Sequence, residues 1–260
     1  MESWRLIKSK FTNPYFNMAL EEAIAKTVGE GLTLNTVRFW RNEKSIILGR
    51  FQSVEVEVDL NACIKHKVAI VRRFTGGGAV YHDLGNLNYS IIVDRKGFSL
   101  RNIQEFFMKG CLSIIEALKI LGLNSSFEKP NNILVYGMKV SGAAGAARWN
   151  SIIHHSCLLV SANLSILREV LNCFKNGYTP SKKWVSSRKI EVANLKDFVN
   201  KKLSLDEVEE ALKKGFEKVY EAKLTEDALS LKELNLAKKL YKSKYCMHEW
   251  NYEGVEMVKV

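Results

Sequence analysis

The feature that most constrains this chain is a run of three consecutive glycines, Gly76 to Gly78, which follows two arginines and precedes a β-like segment. Three positions without a Cβ allow positive φ angles and the close approach of another group. Exposed N–H groups in such a turn form a concave anion site, and the guanidinium of Arg72 or Arg73 fits a carboxylate or phosphate. We therefore interpret this stretch as a cradle for a nucleotide phosphate or an acyl phosphate. A flexible hairpin loop is the alternative.

Neither a P-loop nor a dinucleotide fingerprint explains the glycines. No Gly-Lys-Ser/Thr follows them, and the next segment has the pattern of a strand instead of a helix.

A second segment of small residues strengthens the ligand-site interpretation. The pattern predicts a strand over Asn131–Val135, a turn, and a return strand over Met138–Val140, after which Ser141 to Ala147 are all small. Lys139 stands just before this segment and can place a point charge on a carboxylate or α-phosphate. Two tiny-residue segments, each flanked by a cation, favour one joint ligand site.

Composition limits the class of protein. The chain has 260 residues, 47% of them hydrophobic, and a net charge of +11. No signal region or apolar run of membrane-spanning length occurs, so we expect a cytoplasmic protein without a membrane partner. The five cysteines are scattered and odd in number, which argues against a disulfide framework and a zinc site. The basic surplus could attract an acidic partner, but no basic motif interleaved with aromatics suggests nucleic acid.

The remaining pattern alternates between strands and helices. Helices are predicted over 14–28, 60–66, 100–121, 164–173, 204–218 and 229–242, and strands over 4–8, 35–41, 45–52, 68–72, 79–82, 87–93 and 152–160. Residues 54–59 alternate like a half-buried strand or extended chain. In the first helix Glu21 and Glu22 are expected to face outward. A capping residue, Ser99, is expected before the helix at 100–121.

The strands around the glycines are expected to form an antiparallel meander of 68–72, 79–82 and 87–93. In that arrangement His82 and Asn88 could point into one pocket. His154 and His155 are adjacent in a strand, so they face opposite sides and cannot share a metal ion there.

With both glycine segments in place, the sequence resembles the lipoate–protein ligases of the biotin/lipoate ligase superfamily. The resemblance rests on Asn17–Glu22, Ile47–Gln52, Arg72–Asn88, Asn131–Ala143, His154–His155 and Val192–Leu195. It implies an α+β fold with mixed, largely antiparallel sheets flanked by helices, related to class II aminoacyl-tRNA synthetase cores. It also implies one catalytic domain over 1–260, in which 225–260 form a C-terminal helix and tail without a separate accessory domain.

The resemblance implies a reaction in two steps. ATP with Mg²⁺ activates lipoate to lipoyl-AMP, and a lysine of a lipoyl domain, on a 2-oxoacid dehydrogenase E2 or a glycine cleavage H protein, then accepts the lipoyl group. Such acceptor domains tend to be acidic, so a basic face would speed encounter.

The resemblance also implies roles for residues. Lys139 matches a lysine that contacts the acyl carbonyl and the phosphate, and is the implied catalytic residue. Arg73 and the backbone of Gly78 to Tyr81 match nucleotide contacts, while Ala143 and His155 match other ligand-lining positions. Together with the residues singled out above, the predicted substrate- and nucleotide-binding set is Arg72, Arg73, Gly76, Gly77, Gly78, Ala79, Val80, Tyr81, His82, Asn88, Asn131, Asn132, Lys139, Gly142, Ala143 and His155.

Two departures from the family pattern stand out. Asn132 occupies a place where relatives often carry Asp, so Mg²⁺ would be held differently, and no metal ligand is assigned. The chain ends at Val260 and resembles bipartite ligases, whose small accessory subunit is a separate polypeptide.

Two other functions remain open. An octanoyl- or lipoyltransferase of the same superfamily would act through a cysteine thioester, for which Cys173 with nearby Lys175 is the candidate. A non-catalytic or nucleic-acid-associated protein would use the basic surface, although such a surface needs neither Lys139 nor two glycine segments. Biotin ligase is disfavoured because the first glycine segment has the form found in lipoate enzymes.

Overall fold

The computed structural model describes residues 2–96, 100–171, 184–200 and 202–255. Its strands are β1 Glu2–Lys8, β2 Thr36–Trp40, β3 Ser45–Leu48, β4 Ala69–Arg72, β5 Val80–His82, β6 Asn86–Asp94, β7 Ser125–Glu128, β8 Asn132–Val135, β9 Met138–Arg148, β10 Ser151–Leu159 and β11 Ala222–Glu226. Its α-helices are α1 Pro14–Gly29, α2 Val54–Glu57, α3 Leu60–His66, α4 Leu100–Ile120, α5 Leu164–Val170, α6 Leu205–Tyr220 and α7 Leu231–Leu240.

Two sheets organise the fold. The larger has the strand order β11-β1-β2-β6-β10-β9-β8-β7, and the smaller has the order β4-β3-β5. In the larger sheet β1 runs parallel to both of its neighbours, and the other pairs are antiparallel. Helices α4 and α6 pack together in the core on one face, while α1 and α7 pack on the other. This confirms the mixed, largely antiparallel α+β fold.

Helix α1 begins where the sequence predicts. The Asn13 side chain accepts a hydrogen bond from the Phe16 N–H, and Pro14 occupies the first turn. The expectation that Glu21 and Glu22 face outward is wrong, because their exposed fractions are 0% and 1%. The helix lies between the large sheet and α7, so both faces are covered and its carboxylates need buried partners.

The prediction of an extended segment at 54–59 is also wrong, since Val54–Glu57 form the short helix α2. Val54 and Val58 are both buried and four residues apart, a spacing that suits one helical turn as well as a strand. A segment of six residues is too short for its hydrophobic period to distinguish the two.

The meander prediction fails as well. Strands β4 and β5 do not pair with each other, because β3 lies between them and pairs with both. Strand β6 belongs to the larger sheet, where it pairs with β2 and β10. The glycine segment therefore connects β4 to β5 across the intervening strand β3, a crossing that needs several residues.

Other boundaries shift modestly. Helix α4 ends at Ile120, and Gly122 follows with φ of +80°, as expected of a C-terminal glycine. Strand β9 continues to Arg148, because its small residues pair with β10 along their whole length. Ser99 and Cys173 lie outside the described residues. Within the described ranges, no helix is long and apolar enough to cross a membrane.

Arg72 ties the C-terminal tail to the end of β4. Its exposed fraction is 1%, and its guanidinium donates to the carbonyl oxygens of Gly49 at 2.9 Å, Gln52 at 2.7 Å, Trp250 at 2.9 Å and Tyr252 at 3.1 Å. In return the Trp250 indole N–H donates to the Arg72 carbonyl at 2.8 Å. Arg72 therefore holds together the scaffold beneath the glycine segment.

Replacing Arg72 with leucine should destabilise the fold strongly. Three buried carbonyl groups and the partly buried carbonyl of Tyr252 would lose their donor. Each unpaired buried group costs about 1–3 kcal/mol, so we expect a loss of at least about 3 kcal/mol in the free energy of unfolding. Urea denaturation measures this change. The Arg168→Leu variant is the control, because Arg168 is exposed, and it should change stability by less than about 0.5 kcal/mol. Equal stability of both variants would show that the Arg72 hydrogen bonds do not hold the C-terminal tail against β4.

Candidate active site

A cavity of about 300 Å³ lies where the two sheets meet. Its walls come from the glycine segment, β9, β10 and a segment at 185–190. The lining residues are Met18, Trp40, Ile47, Arg73, Gly77, Gly78, Ala79, Val80, His82, Pro130, Asn131, Asn132, Lys139, Gly142, Ala143, Ala144, His155, Ser156, Cys157, Val185, Ser186, Ser187, Arg188 and Ile190.

Arg73 shapes the glycine segment from within. The Arg73 side chain is almost fully buried, and its Nη2 donates to the carbonyl oxygens of Gly76 at 2.6 Å and Gly78 at 2.8 Å. Nη1 donates to the Ile47 carbonyl at 2.9 Å, and Nε donates to Thr75 Oγ1 at 3.0 Å. The guanidinium thus braces the segment from below, and most of its N–H groups are already used.

The N–H groups of the three glycines remain available. Across the described residues, no acceptor faces the N–H of Gly76, Gly77 or Gly78. Ala79 N–H instead donates to Ser187 Oγ at 2.9 Å. Three consecutive N–H groups without acceptors form the kind of concave site that binds an anion.

Ser187 anchors the segment at 185–190 over the glycines. Its Oγ also accepts from Gln52 Nε2 at 3.0 Å, and its N–H donates to Glu57 Oε1 at 3.0 Å. A Cβ added to Gly78 would lie 3.0 Å from Ser187 Oγ, so the contact depends on a glycine at that position. No sequence motif at residues 185–190 predicts this wall of the cavity.

Lys139 lies at the junction of the cavity walls. Its side chain crosses Gly142, where an added Cβ would lie 2.7 Å from both Cε and Nζ. Its backbone is fixed by hydrogen bonds with Glu191 and Ala193, at 2.9 and 3.1 Å. The ammonium has no hydrogen bond or ion pair within the described part of the chain. Burial lowers the pKa of Lys139 below its usual value, with Cys157 and Glu128 opposing the shift weakly.

A buried relay connects helix α1 to the glycine segment. Glu21, fully buried, contacts His155 Nδ1 at 2.9 Å, and His155 Nε2 lies 2.8 Å from Thr75 Oγ1. Thr75 Oγ1 in turn accepts from Arg73. Burial opposes the Glu21 charge, yet His155, Ser90 and Arg38 together hold its carboxyl pKa below the usual value. The carboxylate therefore orients His155 against the cavity, while His154 packs on the opposite face against Phe107.

The structure brings together most of the predicted set. Twelve of its residues line the cavity, namely Arg73, Gly77, Gly78, Ala79, Val80, His82, Asn131, Asn132, Lys139, Gly142, Ala143 and His155. Four do not line it. The Arg72 guanidinium donates to scaffold carbonyls such as that of Gly49, and the Gly76 carbonyl accepts from Arg73. Tyr81 lines a neighbouring groove. Asn88 is fully buried on the strand beside Trp40 and Cys157.

Sequence reasoning missed the apolar wall. Met18, Trp40 and Ile47 come from three separate elements that local sequence does not connect. Cys157, the cysteine nearest Lys139 in the cavity, was overlooked in the same way, and burial raises its thiol pKa to about 12. The alternation of β10, which places His155 and Cys157 on one face, was the one available signal.

The residues present do not form a resident metal centre. Within the described ranges, no group of three or more His, Cys, Asp or Glu side chains could hold a metal ion. Near Asn132 the carboxylate is that of Glu128, which accepts from Asn132 Nδ2 at 2.9 Å. Mg²⁺ that arrives on nucleotide phosphates needs only one or two protein ligands, and this pair fits that more limited requirement.

The model of the lipoyl protein ligase A/B catalytic domain family matches residues 13–217. The chain belongs to this family. It is 34% identical over 261 residues to lipoate-protein ligase A subunit 1 of Thermoplasma acidophilum, covering 96% of this chain and 97% of the relative. It is also 30% identical to the octanoyltransferase LipM of Geobacillus kaustophilus, covering 97% and 99% of the two chains. Family membership therefore includes both ligases and transferases.

Solved structures of the family share the whole architecture. A T. acidophilum protein with bound lipoic acid is 33% identical, with a TM-score of 0.82 over 97% of this chain and 100% of that one. An archaeal bi-partite lipoate protein ligase from the same organism, studied with its E2 lipoyl domain, has a TM-score of 0.84 at 33% identity and covers both chains fully. A lipoate-protein ligase A bound with ATP has a TM-score of 0.83 at 34% identity, over 98% and 100% of the two chains.

Removing the Lys139 charge should increase the free energy of unfolding of this protein. The folded protein releases this proton at lower pH than the unfolded chain, whose lysines titrate near 10.4. At neutral pH the half-buried ammonium therefore costs stability, and Lys139→Met should raise the free energy of unfolding by about 1 kcal/mol. The gain should shrink as the pH rises through the lowered pKa, because the wild-type lysine then becomes neutral when folded.

Urea denaturation of both proteins between pH 7 and pH 10 measures this difference. Lys238→Met serves as the control, since Lys238 is exposed on α7. A Lys139→Met variant that is less stable than wild type at pH 7 would show that the ammonium has a stabilising partner.

Proposed function

We propose that this protein is a lipoate–protein ligase. It activates lipoate with ATP to lipoyl-AMP and transfers the lipoyl group to a lysine of a lipoyl domain on a 2-oxoacid dehydrogenase E2 or a glycine cleavage H protein. The observation that carries the proposal is the half-buried ammonium of Lys139, which has no partner in the described structure and lines the same cavity as an apolar wall and the free N–H groups of Gly77 and Gly78. A cavity of this kind suits a ligand that is apolar at one end and anionic at the other.

The two ends of the cavity match the two halves of the adenylate. Met18, Trp40 and Ile47 offer an apolar wall for an acyl chain, and the family structure with bound lipoic acid supports this use. The glycine N–H groups and Asn131–Asn132 offer donors for a nucleotide, which the ATP-bound family structure supports.

In the first step a carboxylate oxygen of lipoate attacks the α-phosphorus of ATP, and the bond to pyrophosphate breaks. Two anionic groups must approach each other, so a cation between them lowers the barrier. Lys139 supplies that cation, and the N–H groups of Gly76 to Gly78 add fixed dipoles that need no reorganisation. Arg73 contributes by holding these N–H groups in place.

In the second step the amine of the acceptor lysine attacks the acyl carbon. An amide bond forms, the bond to AMP breaks, and the amine loses a proton. The tetrahedral intermediate carries negative charge on the former carbonyl oxygen, and the departing AMP is also anionic. Lys139 stabilises both, and no residue becomes a covalent nucleophile.

Mg²⁺ and a separate accessory subunit complete the proposed activity. Mg²⁺, when bound, neutralises phosphate charge, and Glu128 with Asn132 are the residues that would hold it. The similarity to subunit 1 of a bi-partite ligase supports a separate accessory subunit that assists adenylation. We place this activity in the cytoplasm, without nucleic acid or membrane partners.

An octanoyltransferase that acts through a cysteine thioester is the second candidate, because LipM enzymes are among the relatives. Such a mechanism needs a thiolate. In the cavity Cys157 has a pKa of about 12, which keeps it a neutral thiol. The other candidate, Cys173, lies outside the described residues, so it is tested by experiment.

Mass spectrometry of an apo lipoyl domain incubated with the protein tests the function. One reaction contains ATP, Mg²⁺ and lipoate, and another contains preformed lipoyl-AMP. We expect modification with lipoyl-AMP, and modification with ATP once any required accessory subunit is present. Lys139→Met should lower the transfer rate about 10²–10³-fold, the usual cost of losing one oxyanion-stabilising group.

A third reaction in the same experiment tests the transferase function, with an octanoyl acyl carrier protein as the donor. Modification from this donor that is lost in Cys173→Ser, together with no modification from lipoyl-AMP, would replace the ligase proposal with the transferase. Cys157→Ser is the matched control, and it should retain ligase activity because its thiol takes no part in the proposed steps.

Gly142→Ala should impair catalysis without unfolding the protein. The new methyl group would lie 2.7 Å from Lys139 Nζ, so the ammonium must move by about 1 Å, a displacement that can cost about 10²-fold in rate. Transfer from lipoyl-AMP measures the loss, and thermal unfolding verifies the fold. In the double variant with Lys139→Met the glycine change should cost nothing further, and additive losses would contradict the contact.

A further inference from the structure

The mouth of the cavity is marked by the lining residues that are exposed to solvent. Most of the described lining residues are buried or half-buried, and the exposed ones are Gly77, Pro130, Val185, Ser186 and Arg188. We call these five residues the rim. Because the cavity opens to solvent at the rim, a protein substrate that reaches into the cavity must contact it.

An apolar patch adjoins one side of the rim. The Phe51 side chain is 62% exposed, and Val185 is 46% exposed. The Val185 N–H donates to the Phe51 carbonyl at 3.0 Å, and Gln52 Nε2 donates to the Val185 carbonyl at 3.2 Å. The two residues therefore lie on neighbouring segments that are bonded to each other, and we call them the Phe51–Val185 patch. Apolar residues that are exposed together beside a site are typical of a surface that contacts another protein.

Phe51 is held in place although its ring is exposed. The Arg50 guanidinium lies 5.8 Å from the centroid of the Phe51 ring and 4.6 Å from that of the Trp250 ring. Arg50 also donates to the Gly254 carbonyl, and Trp250 is only 1% exposed. The Phe51 ring thus packs on a cation that is fixed to the scaffold, so binding a partner costs it little side-chain entropy. A preorganised aromatic side chain is typical of a binding hot spot.

Positive charge lies on the same segment as Val185. Arg188 belongs to the rim, Lys189 follows it, and both are exposed. Neither side chain has a hydrogen bond or ion pair within the described residues. Residues 184–190 contain no carboxylate, and none occurs among the described residues that line the cavity. This side of the mouth therefore attracts an acidic partner and disfavours a basic one.

We propose that the Phe51–Val185 patch, together with Arg188 and Lys189, is the docking surface for the lipoyl domain. This inference rests on the proposed function. An extended lysine side chain spans about 6 Å from its Cα to its amine, so the domain must lie against the rim while the amine attacks the acyl carbon beside Lys139. The apolar patch excludes water from this contact, and the two cations attract the acidic surface expected of a lipoyl domain.

Steady-state transfer from preformed lipoyl-AMP to an apo lipoyl domain, followed by mass spectrometry of the domain, tests the docking surface. Phe51→Glu should lower kcat/KM for the domain about tenfold or more, through a higher KM. Phe51→Ser, which adds no charge, should act in the same direction. The Kd of lipoyl-AMP, measured by isothermal titration of the full-length protein without acceptor, should stay at its wild-type value, because Phe51 does not line the cavity.

Lys189→Glu tests the electrostatic part of the surface. It reverses a charge that lies outside the cavity, so it should lower kcat/KM for the domain about threefold to tenfold at low ionic strength. The loss should shrink in about 0.5 M salt, because the charges of exposed residues are screened there.

Two variants on α7 are the matched controls. Leu231→Glu makes the same kind of change as Phe51→Glu at an apolar residue that is 79% exposed, and Lys238→Glu reverses the charge of an exposed lysine. Helix α7 contributes no residue to the described cavity lining, so both variants should keep the wild-type kcat/KM and the wild-type salt dependence.

The outcomes separate the two proposals. If wild type neither bound lipoyl-AMP nor modified the domain, both the docking surface and the proposed function would be wrong. Wild-type transfer with an unchanged kcat/KM in Phe51→Glu and Lys189→Glu would overturn the docking surface alone. Weaker binding of lipoyl-AMP by Phe51→Glu would place the effect inside the cavity, and a loss confined to ATP-dependent activation with an accessory subunit would assign the patch to that subunit. Either result would also overturn the docking surface.

Discussion

The geometry of the site depends on the direction of the peptide groups that Arg73 holds. A trans peptide points its C=O and N–H in opposite directions, so a carbonyl turned toward the guanidinium turns the next N–H away from it. Arg73 binds the carbonyls of Gly76 and Gly78, which directs the N–H of Gly77 away from the guanidinium. The positive charge thus acts through the backbone: the buried cation orders the segment, and the segment presents dipoles to the ligand. Glu21, through His155 and Thr75, fixes the guanidinium from the far side.

The scaffold and the cavity treat polar groups differently. In the scaffold the buried carboxylate of Glu22 is paired, since it accepts from Lys244 at 2.9 Å and from the Tyr245 hydroxyl at 2.7 Å. At the cavity the Lys139 ammonium and the N–H groups of Gly77 and Gly78 lack partners within the described residues. Unpaired buried atoms also occur elsewhere in the fold, as at Trp4 Nε1 and Ser125 Oγ, but the unpaired groups of Lys139, Gly77 and Gly78 border a cavity that a ligand can fill.

Local sequence could predict the parts of the site that one segment supplies. The glycine run and the Lys139 strand were identified because backbone freedom and charge are properties of the segments themselves. Local sequence could not decide between Arg72 and Arg73, since adjacent residues face opposite ways and only packing shows which one meets the tail. Trp40 and Cys157 were missed because β2, β6 and β10 meet through long-range pairing. The order β4-β3-β5 was missed for the same reason, because β3 enters from an earlier part of the chain.

The relatives of this chain include lipoate-protein ligases and octanoyltransferases, so the charge states in this cavity matter. Cys157 and Lys139 line the same cavity, and each would stabilise the ionised form of the other. Burial outweighs that attraction for the thiol, whose pKa of about 12 keeps it protonated. For the lysine the same burial lowers a pKa that begins far above neutrality. The pair therefore consists of a cation beside a neutral thiol, an arrangement that stabilises an anionic ligand and lacks the thiolate that a thioester would need.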